Sequence, residues 1–122
     1  MVVGTPAFMA PEQVMDEELS AATDLYALSA VVWEALTGFQ LVKAEAVGGI
    51  FHEILTAEPS PPSLFRPGLP TEVDQLVLSA LAKAPGERPP DAEVWGSRLA
   101  AALAGVAPTE PGWREVAPER GA

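Results

Sequence analysis

The stretch from Asp24 to Gly38, DLYALSAVVWEALTG, constrains this chain more than any other. Leu25, Leu28, Val32, Trp33 and Leu36 recur at helical spacing, and Ala27, Ala30, Val31 and Ala35 fill most of the rest. Glu34 is the one charge between Asp24 and Gly38. A helix that is apolar on nearly every face belongs inside a core. It is too short to span a bilayer, which needs about 20 apolar residues. The reading is therefore a buried central helix. Thr23 or Asp24 offers an acceptor for its first free amides, and Gly38 suits a left-handed residue after its last turn.

The helix needs partners, and three further segments have the period to supply them. Val47, Ile50, Phe51, Ile54 and Leu55 fall at i, i+3, i+4, i+7 and i+8, one amphipathic stripe. Gly48 and Gly49 weaken its first turn. Val73, Leu76, Val77, Ala80 and Leu81 repeat the pattern, between a start at Pro70 or Thr71 and an end at Pro85-Gly86. A last helix runs from an N-cap at Asp91 to Ala104, with Trp95, Leu99, Ala102 and Leu103 inward and Gly105 as its stop. Ahead of the central helix, Pro11 suits the first turn of a short helix over 10–14, followed by a polar loop over 15–22. Residues 58–69, EPSPPSLFRPGL, read as a proline-rich loop. No segment alternates at period two, so the expected fold class is all-α. The expected organisation is an extended front with a short helix (1–15), a helical core (16–104) and a loose proline-rich tail (105–122).

Composition narrows the function classes. The 122 residues suffice for one small domain, and 48% hydrophobic content supports a core. With 7 basic and 17 acidic residues the formal net charge is −10. Nucleic acid and anionic membrane both demand a basic patch, so neither is expected as a partner. Absence of cysteine excludes disulfides, thiolate metal sites and a cysteine nucleophile. No basic region followed by an apolar run opens the chain, so no signal peptide is expected and the expected location is cytoplasmic.

Three stretches, in order and at fitting separations, resemble the C-terminal lobe of serine/threonine protein kinases, most closely the bacterial members. Gly4-Thr5-Pro6-Ala7-Phe8-Met9-Ala10-Pro11-Glu12 resembles the end of the activation segment, GTxxYMAPE, with Phe8 in place of tyrosine. The central stretch resembles the family helix DxxSLGVxxxELLTG, with Ser29 where glycine is common. Leu81 to Pro89, LAKAPGERP, resembles the LxKDPxxRP turn, with Ala84 in place of aspartate. The resemblance covers roughly residues 3–103.

The resemblance implies roles for particular residues. Glu12 and Arg88 match the glutamate and arginine that form a buried structural ion pair in the family. A guanidinium fork suits a carboxylate bidentately. Asp24 matches the aspartate that anchors the backbone of the catalytic loop; with that loop absent from these 122 residues, a plain N-cap is the expectation. Thr5 matches the threonine whose hydroxyl touches the catalytic aspartate and lysine, which favours serine/threonine substrates. Pro6, Ala7, Phe8 and Met9 match the pocket for the substrate residue after the phosphoacceptor.

The family uses ATP and Mg²⁺, yet no Gly-rich loop, strand lysine, HRD or DFG motif occurs in the sequence. No catalytic, cofactor-binding or metal-binding residue is therefore assigned. The chain is expected to serve phosphoryl transfer to protein serine or threonine as part of a longer product, and to be inactive alone. The alternatives are a stand-alone, non-catalytic helical module that binds another protein, or a truncated gene product. If the part of the kinase that packs on the central helix is missing, apolar surface is expected to be uncovered there, fit for that part or for another protein.

The remaining features have plain readings. His52 is expected to be solvated, and so is the Asp16, Glu17, Glu18 cluster, which lacks calcium-loop spacing. Ser60-Pro61-Pro62 reads as a rigid connector. Trp33 is assigned to the core, Trp95 to a half-buried position and Trp113 to an exposed tail.

Overall fold

A computed structural model describes residues 8–106. In chain order it has a short helix α1 (Pro11–Val14), the central helix α2 (Ala21–Thr37), α3 (Val47–Thr56), α4 (Thr71–Ala80) and α5 (Ala92–Ala104). Two single 3₁₀ turns, Pro62–Leu64 and Pro85–Glu87, interrupt the connections. No strand occurs among the described residues, as the all-α reading requires. Nor, among them, is any helix long and apolar enough to cross a membrane. The readings of residues 1–7 and 107–122, including Trp113, lie outside the described residues.

Helix α2 begins three residues before Asp24. Ser20 is extended (φ −152°, ψ −178°), and its hydroxyl oxygen accepts from the Ala22 amide at 3.2 Å. The Thr23 hydroxyl oxygen accepts from the Ser20 amide at 3.1 Å, closing a box across the first turn. The N-cap is thus Ser20, not Thr23 or Asp24, and Asp24 sits exposed inside the first turns. The sequence reading missed the cap because Ala21-Ala22, good helix formers with no side-chain signature, stand between it and the apolar run. Gly38 ends the helix at φ +78°, a left-handed conformation that a β-carbon would strain.

One face of α2 makes the core. Leu25, Tyr26, Ala30 and Trp33 are buried with Val73, Leu76, Val77 and Ala80 of α4, then Leu81, Trp95 and Leu99. Ser29 lies on the same face, fully buried, and its hydroxyl donates to the Val77 carbonyl at 2.9 Å. That carbonyl is available because the Leu81 amide turns back to Leu78, tightening the end of α4. For the same reason α4 stops at Ala80, short of the expected Pro85-Gly86 boundary. Trp95 is only 3% exposed, deeper than its half-buried reading, because its indole N–H reaches the Leu76 carbonyl at 2.7 Å. The indole of Trp33 likewise donates to the Ser60 carbonyl at 2.7 Å and pins the proline-rich loop. A smaller cluster of Val42, Ile50 and Ile54 joins α3 to Met9 and Val14 at the front.

The opposite face of α2 is not covered. Leu28 is 50% and Val31 48% exposed, and Asp24 and Ala35 continue the exposed line at i−4 and i+4. The expectation of burial on every side therefore fails.

Candidate functional site

The front and back of the chain meet at a buried ion pair. Pro11 starts α1 at the position where a missing amide costs nothing, and Gln13 steadies the turn by accepting from the Ala10 amide at 2.8 Å. This places Glu12 beneath the start of α2. Arg88 arrives from the extended residue after the 3₁₀ turn Pro85–Glu87. Its Nη1 lies 2.7 Å from Glu12 Oε2 and its Nη2 lies 2.8 Å from Oε1, a two-pronged arrangement with both side chains sealed from solvent.

The rest of the site satisfies what the pair leaves open. Arg88 also donates to the carbonyls of Ala22 (3.0 Å), Ala82 (2.8 Å) and Lys83 (3.3 Å). Its guanidinium stands 4.9 Å from the centre of the Tyr26 ring, within cation–π range. The Thr23 hydroxyl donates to Glu12 Oε2 at 2.6 Å. Among the described residues no buried side-chain polar atom is left without a partner. Burial alone would push the Glu12 carboxyl up. The hydrogen bonds from Arg88 and Thr23 and the charge of Arg88 overcome it, holding Glu12 at about 2 against an ordinary 4.5. Burial, partly offset by Arg88, pushes the Tyr26 phenol up to about 12.

Lys83 borders the same region. Its ammonium donates to the Ile54 carbonyl at 2.7 Å and ties the turn before Arg88 to the end of α3. Burial pushes it below the usual lysine range, with Arg88 adding to the effect and Glu58 and Glu53 opposing it. Beside it is a cavity of about 30 Å³ lined by Tyr26, Glu53, Ile54 and Lys83 among others, room for about one water. The arrangement is a structural lock. It fixes α1 against α2 and the turn before α5.

The structure brings together Glu12 and Arg88, and it recruits Thr23, Tyr26 and Lys83, which the sequence reading left out. Thr23 carries a polar signal that suits the helix start, where its hydroxyl also accepts from the Ser20 amide; nothing in the spacing of Tyr26 and Arg88 announces their stacking. Asp24 is exposed and apart from the lock. Of the segment that the resemblance assigns to the substrate side, Thr5, Pro6 and Ala7 lie outside the described residues. Phe8 packs half-buried on the main core and Met9 on the smaller cluster. His52, Asp16, Glu17 and Glu18 are exposed. Among the described residues no group of three or more His, Asp or Glu side chains is placed to hold a metal ion.

Known proteins give this geometry a context. No protein-family model matches the chain. It is 35% identical over 102 residues to the serine/threonine-protein kinase pkn3 of Myxococcus xanthus, a match covering 82% of this chain and 19% of that protein. It is 38% identical over 93 residues to the serine/threonine-protein kinase PksC of Streptomyces coelicolor, covering 76% and 17%. To PknB of Mycobacterium tuberculosis it is 34% identical over 87 residues, covering 71% and 14%. The chain thus spans less than a fifth of the length of these relatives. Among solved structures, the autoinhibited serine kinase domain of titin superposes with a TM-score of 0.74 at 24% identity, over 90% of this chain and 36% of that one. A structure of titin kinase with its flanking domains gives 0.75 at 23%, over 94% and 22%. In sequence and in fold the chain belongs with the serine/threonine protein kinases, as a segment of their helical C-terminal lobe.

Proposed function

We propose that this chain forms the substrate-side part of a serine/threonine protein kinase, supporting phosphoryl transfer to protein serine or threonine within a longer catalytic unit and inactive by itself. The observation that carries this reading is the uncovered face of α2. The helix that anchors the whole core on one side leaves Leu28 and Val31 about half exposed on the other. A paired apolar stripe on a central helix is a packing surface in need of a partner. The lock formed by Glu12 and Arg88 supports the same reading, because it holds the front segment in place without performing chemistry. Residues that position ATP and Mg²⁺ would come from the rest of the unit, since the motifs that do so in the family are not among these 122 residues.

The uncovered stripe also favours the second reading, a non-catalytic module that binds another protein through α2. A chimera separates the two. The matching segment of pkn3 from Myxococcus xanthus is replaced by this chain, and phosphate transfer from ATP to a protein substrate is measured. The proposal expects transfer by the chimera and none by the chain alone. A folded but inactive chimera, or transfer by the chain alone, would overturn it.

A further inference from the structure

A cavity of about 250 Å³ lies between α4 and the first half of α5. Asp91, Val94, Trp95 and Arg98 fall at i, i+3, i+4 and i+7, one face of α5, and all four line it. Leu76 and Ser79 of α4 face them. Val94 is 54% exposed, so the cavity is reached from solvent. It shares no residue with the open face of α2 or with the Glu12–Arg88 lock. A dry cavity of about 150 Å³ holds benzene, so this one has room for a benzyl group and a short polar head.

Most of the polar groups in the lining are already spent. The Trp95 indole N–H and the Ser79 hydroxyl both donate to the Leu76 carbonyl, at 2.7 and 2.9 Å. Pro89 and Pro90, which also border the cavity, have no amide proton to offer. Asp91 uses one carboxylate oxygen, Oδ1, which accepts from the amides of Glu93 at 2.9 Å and Val94 at 3.1 Å. Its Oδ2 has no hydrogen-bond partner among the described residues. Arg98 uses one nitrogen, Nη2, which donates to Glu72 Oε2 at 2.9 Å in an exposed pair. Its Nε and Nη1 make no hydrogen bond among the described residues. The lining therefore keeps one unspent anion and one partly spent cation beside an apolar wall of Leu76, Val94 and Trp95.

We propose that this cavity binds a free amino acid with a large apolar side chain. The side chain lies against Trp95 and Leu76, the α-ammonium donates to Asp91 Oδ2, and the α-carboxylate accepts from Arg98. Volume selects the large apolar side chain, and the two charges select the zwitterion. A simple amine leaves the remaining Arg98 donors unused. A simple carboxylate is drawn to Arg98 but meets the charges of Asp91 and Glu72 around it. Discrimination of this kind comes as much from the charge that repels the wrong ligand as from the one that attracts the right one.

The test is equilibrium dialysis of the full chain against labelled L-phenylalanine, with phenethylamine (no carboxylate), 3-phenylpropanoate (no ammonium) and glycine (no ring) as comparisons. L-phenylalanine is expected to bind saturably at one site, at least about tenfold more tightly than each of the other three. Asp91→Asn removes the charge but keeps a good helix cap. It is expected to weaken L-phenylalanine about tenfold without weakening 3-phenylpropanoate. Arg98→Gln breaks only an exposed ion pair. It is expected to weaken L-phenylalanine about tenfold without weakening phenethylamine. Thermal melts check that both variants fold; if one does not, the other decides together with the comparison ligands on the unaltered chain. Phenethylamine or 3-phenylpropanoate binding as tightly as L-phenylalanine, no saturable binding of L-phenylalanine at millimolar concentration, or no effect of Asp91→Asn would overturn the proposal.

Discussion

Replacing Arg88 by alanine is the sharpest perturbation this fold offers. The side chain donates five hydrogen bonds, two to Glu12 and three to carbonyls of Ala22, Ala82 and Lys83. Alanine strands the Glu12 carboxylate at 2% exposure with the Thr23 hydroxyl as its one remaining side-chain donor. Breaking a buried pair in this way costs about 3–5 kcal/mol. The pKa gives a matching figure. The fall from 4.5 to about 2 corresponds to about 3 kcal/mol at neutral pH. Small domains carry about 5–15 kcal/mol in total. For a chain of 122 residues, 3 kcal/mol is a drop in Tm of about 12 °C. The assay is thermal unfolding of the full chain by circular dichroism at pH 7, for Arg88→Ala and for the apolar double replacement Glu12→Leu with Arg88→Met. The double variant should recover most of the loss, because it leaves no charge buried alone. A drop below about 4 °C for Arg88→Ala, about 1 kcal/mol, would refute the lock as the tie between front and back.

Other outcomes follow from the same geometry. The Glu12 carboxyl is depressed in the folded state, so its stabilisation is complete above pH 4.5 and is lost as pH falls toward 2; urea midpoints should trace that window, and Glu12→Gln should remove its share of the slope. The Tyr26 phenol is raised, so its stabilisation is present below pH 10 and lost as pH rises through 12. The chain has a single tyrosine, and tyrosinate absorbance should show a midpoint near 12 in the folded protein. Ser29→Ala strands the buried Val77 carbonyl and should cost about 1–3 kcal/mol in urea unfolding, whereas a neutral result would mean that carbonyl is otherwise satisfied. Asp91→Ala removes the acceptor for the Glu93 and Val94 amides and should cost about 1 kcal/mol by the same measure.

Helical elements were legible because their signals are local. The stripe over 47–55, the Asp91 cap and the Gly38 and Gly105 stops each sit within a few residues of what they determine. The start of α2 was misplaced because Ser20 is separated from the apolar run by two alanines that carry no pattern. The exposed side of α2 was not legible from periodicity, since Leu28 and Val31 are as apolar as their buried neighbours. Only the resemblance to a larger domain suggested that something else belongs on that face. The Glu12–Arg88 pair spans 76 positions and was reached through the same resemblance, not through composition. Its supporting shell of Thr23, Tyr26 and Lys83 depends on tertiary geometry and left no trace in spacing.

Cysteine chemistry gives the most direct test of the central claim, that the open face of α2 is the seat for the remainder of a kinase. The chain has no cysteine, so Leu28→Cys creates a unique thiol on that face. Its rate of reaction with a maleimide is compared in the chain alone and in the pkn3 chimera. The account predicts fast labelling in the isolated chain and labelling at least about tenfold slower in the chimera, where the face is covered. Equal rates in the two proteins would contradict it.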